Sequence, residues 1–370
     1  MVLFCFPVLV REIYSRVEMK QKKITFFLGG MTRGGAERVI SILSKEYARR
    51  GWKTDIGVLL SARLEYEIDE TTNFLDFTGE SGSTIKRIPY WLRTIREYVK
   101  REKPDVIVSF LAKINAFVQL ACLGLEVEII VSERNDPRHE KRELPIRILN
   151  ALLYPKAKKI VFQTEKVRSC FRKKIRENSC VIVNPIIVKE KRLDERKKKI
   201  VTAGRITKQK NHKLLINSFS EVSKLYPEYE LWIYGDGELK GELEELCQFL
   251  AINEKVHFPG SVPDIHRQMA DAEMFVLSSD FEGLSNALME AMTMGLPCIA
   301  TDCAGSDELI CDGENGLIVP VGNRKDLSKA MARLIADKEL NKKLGINAEI
   351  SARDFSVDVV MEQWSRVIEG

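Results

Sequence analysis

Residues 274–302, "MFVLSSDFEGLSNALMEAMTMGLPCIATD", read as a strand, a helix and a second strand in immediate succession. Phe275–Ser279 is an apolar run with a polar end. Leu288, Ala291 and Met292 open a helix at helical spacing, and Cys298–Thr301 is another apolar run after Gly295 and Pro297. Neither run alternates apolar with polar, so both strands are expected to be buried on two faces, as in a parallel sheet whose connections are helical. Two carboxylates, Glu282 and Glu290, stand on either side of Gly283–Leu284–Ser285–Asn286 in this weakly charged stretch. Their presence has to be explained by what the loop and helix do.

The same alternation extends outward along the chain. Before the quoted stretch lie "KIVTAGR", "YELWIYGDG" and "KVHFPG"; after it comes "GLIVP". An earlier series, "KITFFLGG", "TDIGVLL", "DVIVSF", "VEIIVSE", "KIVFQT" and "CVIVN", has the same β-branched character. Helical segments separate most of these runs; in "GAERVISILSKEYARRG", Val39, Ile42, Leu43 and Tyr47 form one face and Gly51 suits a helix end. The fold class is therefore α/β, with two Rossmann-like, doubly wound domains facing each other across a cleft. Asn184-Pro185 and the run "KEKRLDERKKK" mark the join, the latter being too charged for a core. The expected division is an extension at 1–18, a first domain at 19–188, a second at 189–352, and a terminal helix at 353–370.

The chain has 370 residues, 45% hydrophobic and 30% charged, enough for two domains that each bury a core. Its eight cysteines form no C-x-x-C pair and mostly lie in apolar stretches, which argues against a disulfide framework and for a reducing, cytoplasmic compartment. Four histidines without close spacing, and no Asp-x-Asp, give no expected metal site and no expected cofactor. The opening "MVLFCFPVLV" is too short to span a bilayer and lacks the parts of a secretory signal. It reads as an upstream start ahead of Met19, or alternatively as a short membrane-touching segment.

Parallel sheets bind ligands beyond the carboxyl ends of their strands, so the loops there carry the chemistry. "GGMTRGGAER" places Gly34 and Gly35 before a helix, offering backbone N–H groups to an anion or simply making a tight turn. It has neither the Walker nor the dinucleotide spacing. "GDGELKGEL" has its third glycine one residue too late for a dinucleotide site and reads better as a strand-to-helix turn. In "TAGRITKQKN", Arg205 and Lys210 follow a strand end, and alone would pass for a solvated face. The helix opening at Gly283–Asn286, with Ser285 as its cap, adds free N–H groups and a dipole worth about 0.3–2 kcal/mol to an anion. With charge-assisted bonds of roughly 1.5–3 kcal/mol each from Arg205 and Lys210, these parts suit a diphosphate. Glu282, at the strand end, can then accept from a sugar hydroxyl and Glu290 from a ribose; the bland alternative for Glu290 is a surface acid or a buried partner for an arginine.

Taken together, "EGLSNALMEAMTMGLPCIATDCAGSDELI" and "AGRITKQKN" resemble the signature of family-4 retaining glycosyltransferases, which have the GT-B fold, and the likeness covers nearly the whole chain after Met19. The resemblance implies that Arg205 and Lys210 neutralise the leaving nucleotide diphosphate while the amides of Gly283, Leu284, Ser285 and Asn286 bind donor sugar and phosphate. It implies that Glu282 contacts donor hydroxyls, Glu290 the ribose, Val262 the side of the base, and Gly34 and Gly35 the donor from the first domain. It also implies that the last helix crosses back onto the first domain. Where many relatives place a histidine facing the reacting sugar, this chain has "SERNDPRHE": Arg134, with Asn135 beside it and His139 further on. An arginine suits a phosphate or an acidic acceptor better than proton abstraction.

Residues 156–199 hold 16 Lys and Arg against 5 Asp and Glu, whereas the whole chain is only +5. With "IKRIPYWLRTIREYVKREK", which interleaves Tyr90, Trp91, Ile95 and Tyr98 with cations, this leads us to expect contact with an anionic membrane surface, or else faces that merely keep the domain soluble. No nucleic-acid module is present. The expected activity is metal-independent transfer of a hexose or N-acetylhexosamine from a nucleotide sugar, UDP before GDP, to a lipid-linked or surface glycan. "GGMTRGGAERVIS" and "VSERNDP" resemble bacterial capsule, O-antigen and lipid-linked oligosaccharide enzymes. The expected location is the cytoplasm, peripheral on the inner face of the plasma membrane. Two rivals stand beside it: a non-catalytic nucleotide-sugar-binding partner of an assembly complex, and a sugar-nucleotide epimerase of similar fold.

Overall fold

The computed structural model describes residues 21–370 apart from 33, 80–83, 139–141, 189–192, 194 and 304. The extension 1–18, His139 and part of the charged join lie outside the described residues. Seven strands form the first sheet: β1 (Lys23–Leu28), β2 (Lys53–Val58), β3 (Asn73–Asp76), β4 (Val106–Phe110), β5 (Glu128–Ser132), β6 (Lys159–Phe162) and β7 (Ser179–Val181). Six form the second: β8 (Lys199–Ala203), β9 (Glu230–Tyr234), β10 (Val256–Gly260), β11 (Met274–Leu277), β12 (Cys298–Thr301) and β13 (Leu317–Val319). Their orders are β3-β2-β1-β4-β5-β6-β7 and β10-β9-β8-β11-β12-β13, with parallel pairing throughout. Each order reverses direction once, between β1 and β4 and between β8 and β11. Such switch points splay the following loops apart and open a crevice at the carboxyl ends of the strands.

Strand alternation sends neighbouring side chains to opposite faces. Ile24, Phe26 and Leu28 join Val39, Ile40 and Leu43 of the helix Gly35–Arg49 under one face of the first sheet, whereas Phe27 joins Trp91, Ile95 and Tyr98 under the other. That second set corrects the membrane reading of residues 85–103. Trp91, Ile95 and Tyr98 recur at one face of the helix Thr84–Glu102 and are buried, so only Tyr90 of the four aromatic and aliphatic side chains is exposed. Of the cations between them, Arg93 is exposed, whereas Arg96 is half-buried and donates to the Ala121 and Leu123 carbonyls at 2.9 and 2.8 Å.

The join is not a solvated tether throughout. Lys199 begins β8 and is buried, with Nζ 3.0 Å from Asp271 and 2.6 Å from the Gln268 carbonyl, and it lies over the Trp232 and Tyr234 rings. Lys197 and Lys198 pair with Asp271 and Glu228 at 2.7 and 3.2 Å. A charged run can enter a core when its partners arrive from the other strand connections, a condition that composition alone does not reveal.

The chain crosses between the domains twice. Ile186 on the outward crossing donates its backbone N–H to the Phe355 carbonyl on the return, at 2.8 Å, so the two passages lie side by side. After the return, the helix Val357–Glu369 buries Val360, Met361, Trp364 and Ile368 in the core of the first domain. No helix of the described residues is long and apolar enough to cross a membrane.

Candidate active site

A cleft of about 770 Å³ opens between the two sheets at their switch points. All twelve residues singled out from the sequence line it: Gly34, Gly35, Arg134, Arg205, Lys210, Val262, Glu282, Gly283, Leu284, Ser285, Asn286 and Glu290. The loop after β1 supplies Gly34 and Gly35, that after β8 supplies Arg205 and Lys210, and that after β11 supplies Glu282 to Asn286. The helix Asn286–Thr293 starts where the sequence indicates, its Ser285 cap accepting from the Leu288 N–H at 3.4 Å.

The loops after β8 and β11 are sewn together. Asp280 N–H donates to the Gln209 carbonyl at 2.9 Å, Gln209 Nε2 to the Phe281 carbonyl at 2.9 Å, and Asn211 Nδ2 to Asp280 Oδ1 at 2.6 Å. Asn211 also caps the following helix from a left-handed φ of 44°, a conformation that asparagine tolerates. This stitching holds Lys210 Nζ 2.5 Å from Glu282 Oε1, the oxygen that also accepts from Ser279 Oγ at 2.6 Å. Arg205, by contrast, is exposed in the cleft and forms no ion pair among the described residues.

Gly283 touches the opposite domain. A Cβ there would stand 3.0 Å from the Arg134 carbonyl oxygen and 3.4 Å from Gln163 Oε1, so the floor of the cleft has no room for a side chain. Behind it, Gly305 has φ +89° and a Cβ on it would lie 2.0 Å from the Gly283 carbonyl oxygen. Gly305→Ala is therefore expected to push the Gly283–Leu284 loop into the cleft and reduce the affinity for a cleft ligand such as UDP about tenfold or more, while strain of about 1–3 kcal/mol lowers the melting temperature by a few degrees. Calorimetric titration beside a thermal scan checks it; unchanged affinity would show that the loop can yield.

Arg134 is buried, its guanidinium over the Phe110 ring at 4.7 Å and the Trp364 ring at 5.7 Å. Nη1 donates to Asn184 Oδ1 at 2.9 Å, but Nε and Nη2 have no partner among the described residues. Burial pulls its pKa down to about 9. Gln163 Nε2 donates to the same Asn184 oxygen at 2.8 Å, and Asn184 Nδ2 donates to Asn286 Oδ1 at 2.6 Å. A polar chain thus runs from Arg134 through the outward crossing to the first residue of the helix Asn286–Thr293.

Sequence reasoning overlooked Arg38. It reaches across the cleft from the helix Gly35–Arg49 and pairs with Glu290 Oε1, while His266 Nε2 lies 3.7 Å from Glu290 Oε2. Burial disfavours the charged form of Glu290, yet His266 and Arg38 outweigh it and keep the carboxyl below its ordinary range. The alternative reading of Glu290, a buried partner for an arginine, matches this pairing. A signal was available: a cation near a helix amino end opposes the dipole and needs a partner elsewhere. Glu37, on the same first-domain helix, faces Arg205 of the second domain, its carboxyl lifted by burial against the pull of its own backbone N–H and of Arg205. Gln163, Asn184 and Leu111, the last at φ +77°, are further cleft residues that the sequence reading did not single out. Two of the three are polar residues directly beyond strand runs.

Two parallel-sheet domains facing each other across such a cleft are the GT-B arrangement. The chain belongs to the family-4 glycosyltransferases: residues 33–190 match the family described as Glycosyltransferase Family 4, and residues 183–350 match Glycosyl transferases group 1. It is 26% identical over 352 residues to an uncharacterized glycosyltransferase of Haemophilus influenzae, covering 94% of this chain and all of that one. It is 28% identical over 356 residues to the N-acetylgalactosamine-N,N'-diacetylbacillosaminyl-diphospho-undecaprenol 4-alpha-N-acetylgalactosaminyltransferase of Campylobacter jejuni, covering 90% and 96% of the two chains. Among solved structures, the sucrose-phosphate synthase of Thermosynechococcus elongatus superposes with a TM-score of 0.81 at 16% identity, over 94% of this chain and 98% of that one. HepE of Anabaena, solved in complex with UDP, gives 0.79 at 17%, over 94% and 100%.

Proposed function

We propose that the protein is a retaining glycosyltransferase that moves a hexose or N-acetylhexosamine from a nucleotide diphosphate sugar, UDP before GDP, to a lipid-linked or surface polysaccharide acceptor at the cytoplasmic face of a membrane. The observation that carries this reading is the convergence of Arg205, Lys210 and the capped helix end at Ser285 on one side of a cleft that also holds Glu282 and Glu290. Cations and oriented N–H groups suit a diphosphate, and the two carboxylates suit hydroxyls. The C1–O bond to phosphate breaks with its electron pair leaving on the nucleotide, whose negative charge Arg205 and Lys210 stabilise. The acceptor hydroxyl oxygen bonds to C1 on the same face and its proton passes to the departing phosphate oxygen. The remaining work is positioning. The two nitrogens of Arg134 that have no partner among the described residues support a role in holding phosphate or an acidic acceptor group. No metal or cofactor is required in this scheme, because protein cations supply the charge.

The two carboxylates divide the donor between them in this reading. Ribose hydroxyls take Glu290 from Arg38, so Glu290→Ala should weaken UDP binding by roughly 1–3 kcal/mol. Glu282→Ala should spare UDP and damage transfer. Calorimetry with UDP separates the two, and equal losses would contradict the division. The decisive experiment incubates the protein with UDP- and GDP-sugars, with and without a lipid-diphosphate glycan, and follows nucleotide and product by mass spectrometry. Acceptor-dependent release of nucleotide is the expected result. Donor binding without release would favour a non-catalytic partner, and isomerised donor alone an epimerase.

A further inference from the structure

We propose that the face built by the helix Leu144–Leu153 and residues 170–175 docks on an anionic lipid bilayer. Leu144, Ile148 and Leu152 recur one helical turn apart and are 64%, 50% and 63% exposed, while Ile146, Asn150 and Leu153 turn inward. A row of three aliphatic side chains in water is unusual on a helix whose other face already completes a core. Beside the row runs a groove of about 810 Å³, with Phe171 and Ile175 among its apolar residues and Arg138, Arg142, Arg147 and Arg172 among its walls.

Charge selects the occupant. Asp136 neutralises Arg138 and Glu133 neutralises Arg142, at 2.6 and 2.7 Å. Arg147 and Arg172 pair with no carboxylate among the described residues, and both are exposed. Glu143, at the start of the helix, is itself paired with Lys113 at 3.1 Å. Aliphatic side chains beside two unneutralised guanidiniums match acyl chains beneath phosphate headgroups. The charge complementarity favours an anionic surface, since the phosphates of a zwitterionic bilayer are already balanced by their own ammonium groups. The face is also continuous with the cleft: Asn135 lines the active site, and the next residues, 136–138, lead directly to the groove. An acceptor anchored in the bilayer would thus present its sugar end to the cleft. Only this last point rests on the lipid-linked acceptor proposed above. The basic residues expected from the sequence at 156–199 contribute here through Arg172, whereas the 85–103 stretch does not.

Full-length protein sedimented with vesicles of phosphatidylcholine, or of phosphatidylcholine mixed with phosphatidylglycerol, tests the assignment. Binding to the mixed vesicles is expected to exceed binding to neutral ones and to weaken with salt. A Leu144→Glu/Ile148→Glu/Leu152→Glu variant should lose about tenfold or more in vesicle affinity, and Arg147→Glu/Arg172→Glu should lose the preference for the anionic lipid. All substituted side chains are exposed, and an unchanged melting temperature establishes that the variants fold. Wild-type protein that ignores phosphatidylglycerol, or variants that sediment as well as wild type, would overturn the proposal. Transfer to a soluble short-chain acceptor without vesicle binding defeats the docking surface alone. Vesicle binding without transfer to any acceptor defeats the proposed function and leaves the surface standing.

Discussion

Lys210→Ala is expected to lower turnover by about two to three orders of magnitude, the usual cost of removing one group that stabilises charge only in the transition state. Lys210 Nζ sits 2.5 Å from Glu282 Oε1 in a largely buried setting, where it neutralises that carboxylate, and in the proposed reaction it also meets the phosphate charge of the leaving nucleotide. Removing the lysine therefore has two effects. It takes a cation from the leaving group, and it strands a buried carboxylate, a situation that typically costs about 3–5 kcal/mol. The effects separate in a double variant. Lys210→Ala/Glu282→Gln should recover most of the melting temperature, because no stranded charge remains, yet should recover none of the turnover. If the single variant turns over near the wild-type rate with saturating donor, the lysine is a structural partner of Glu282 and the catalytic assignment fails.

Trp364→Ala is expected to cost about 3–5 kcal/mol of stability, the range for deleting a large buried aromatic side chain. Trp364 is fully buried in the core of the first domain, although it stands near the end of the chain, and it stacks with Phe110 at 5.9 Å between centroids. It also covers one face of Arg134. The change should therefore lower the melting temperature by roughly 10 °C for domains of this size and weaken transfer through a loosened guanidinium. Trp364→Phe should recover much of the stability. A thermal scan decides the matter, and a shift of only a degree or two would mean that the terminal helix rests on the surface.

The strands of both sheets were legible from apolar runs because buried parallel strands have no other use for such runs. β3 escaped: Asn73–Asp76 is a short edge strand, half-exposed, and carries too little apolar character to stand out. Trp91, Ile95 and Tyr98 were assigned to a surface because cations separate them in sequence, although their spacing already placed them on one helical face. The cleft residues on the second domain were readable since each follows a strand and its chemistry is local. Arg38 and Asn184 were not. Their partners, Glu290 and Asn286, lie 252 and 102 residues away, and only the fold brings them within reach. Lys199 shows the same limit from the other side, since a charged run becomes a buried strand end once Asp271 is beside it.

The terminal helix has a consequence for how the molecule is made. Translation delivers the first domain early, but Val360, Met361, Trp364 and Ile368 of its core are made only after the second domain. The portion made first is thus the portion completed last, and it must wait with an apolar groove open while the second domain is synthesised and folds. A nascent chain of this design exposes that groove until residues 357–369 have emerged, and loss of that helix would leave the damage far from the missing segment, in the first domain.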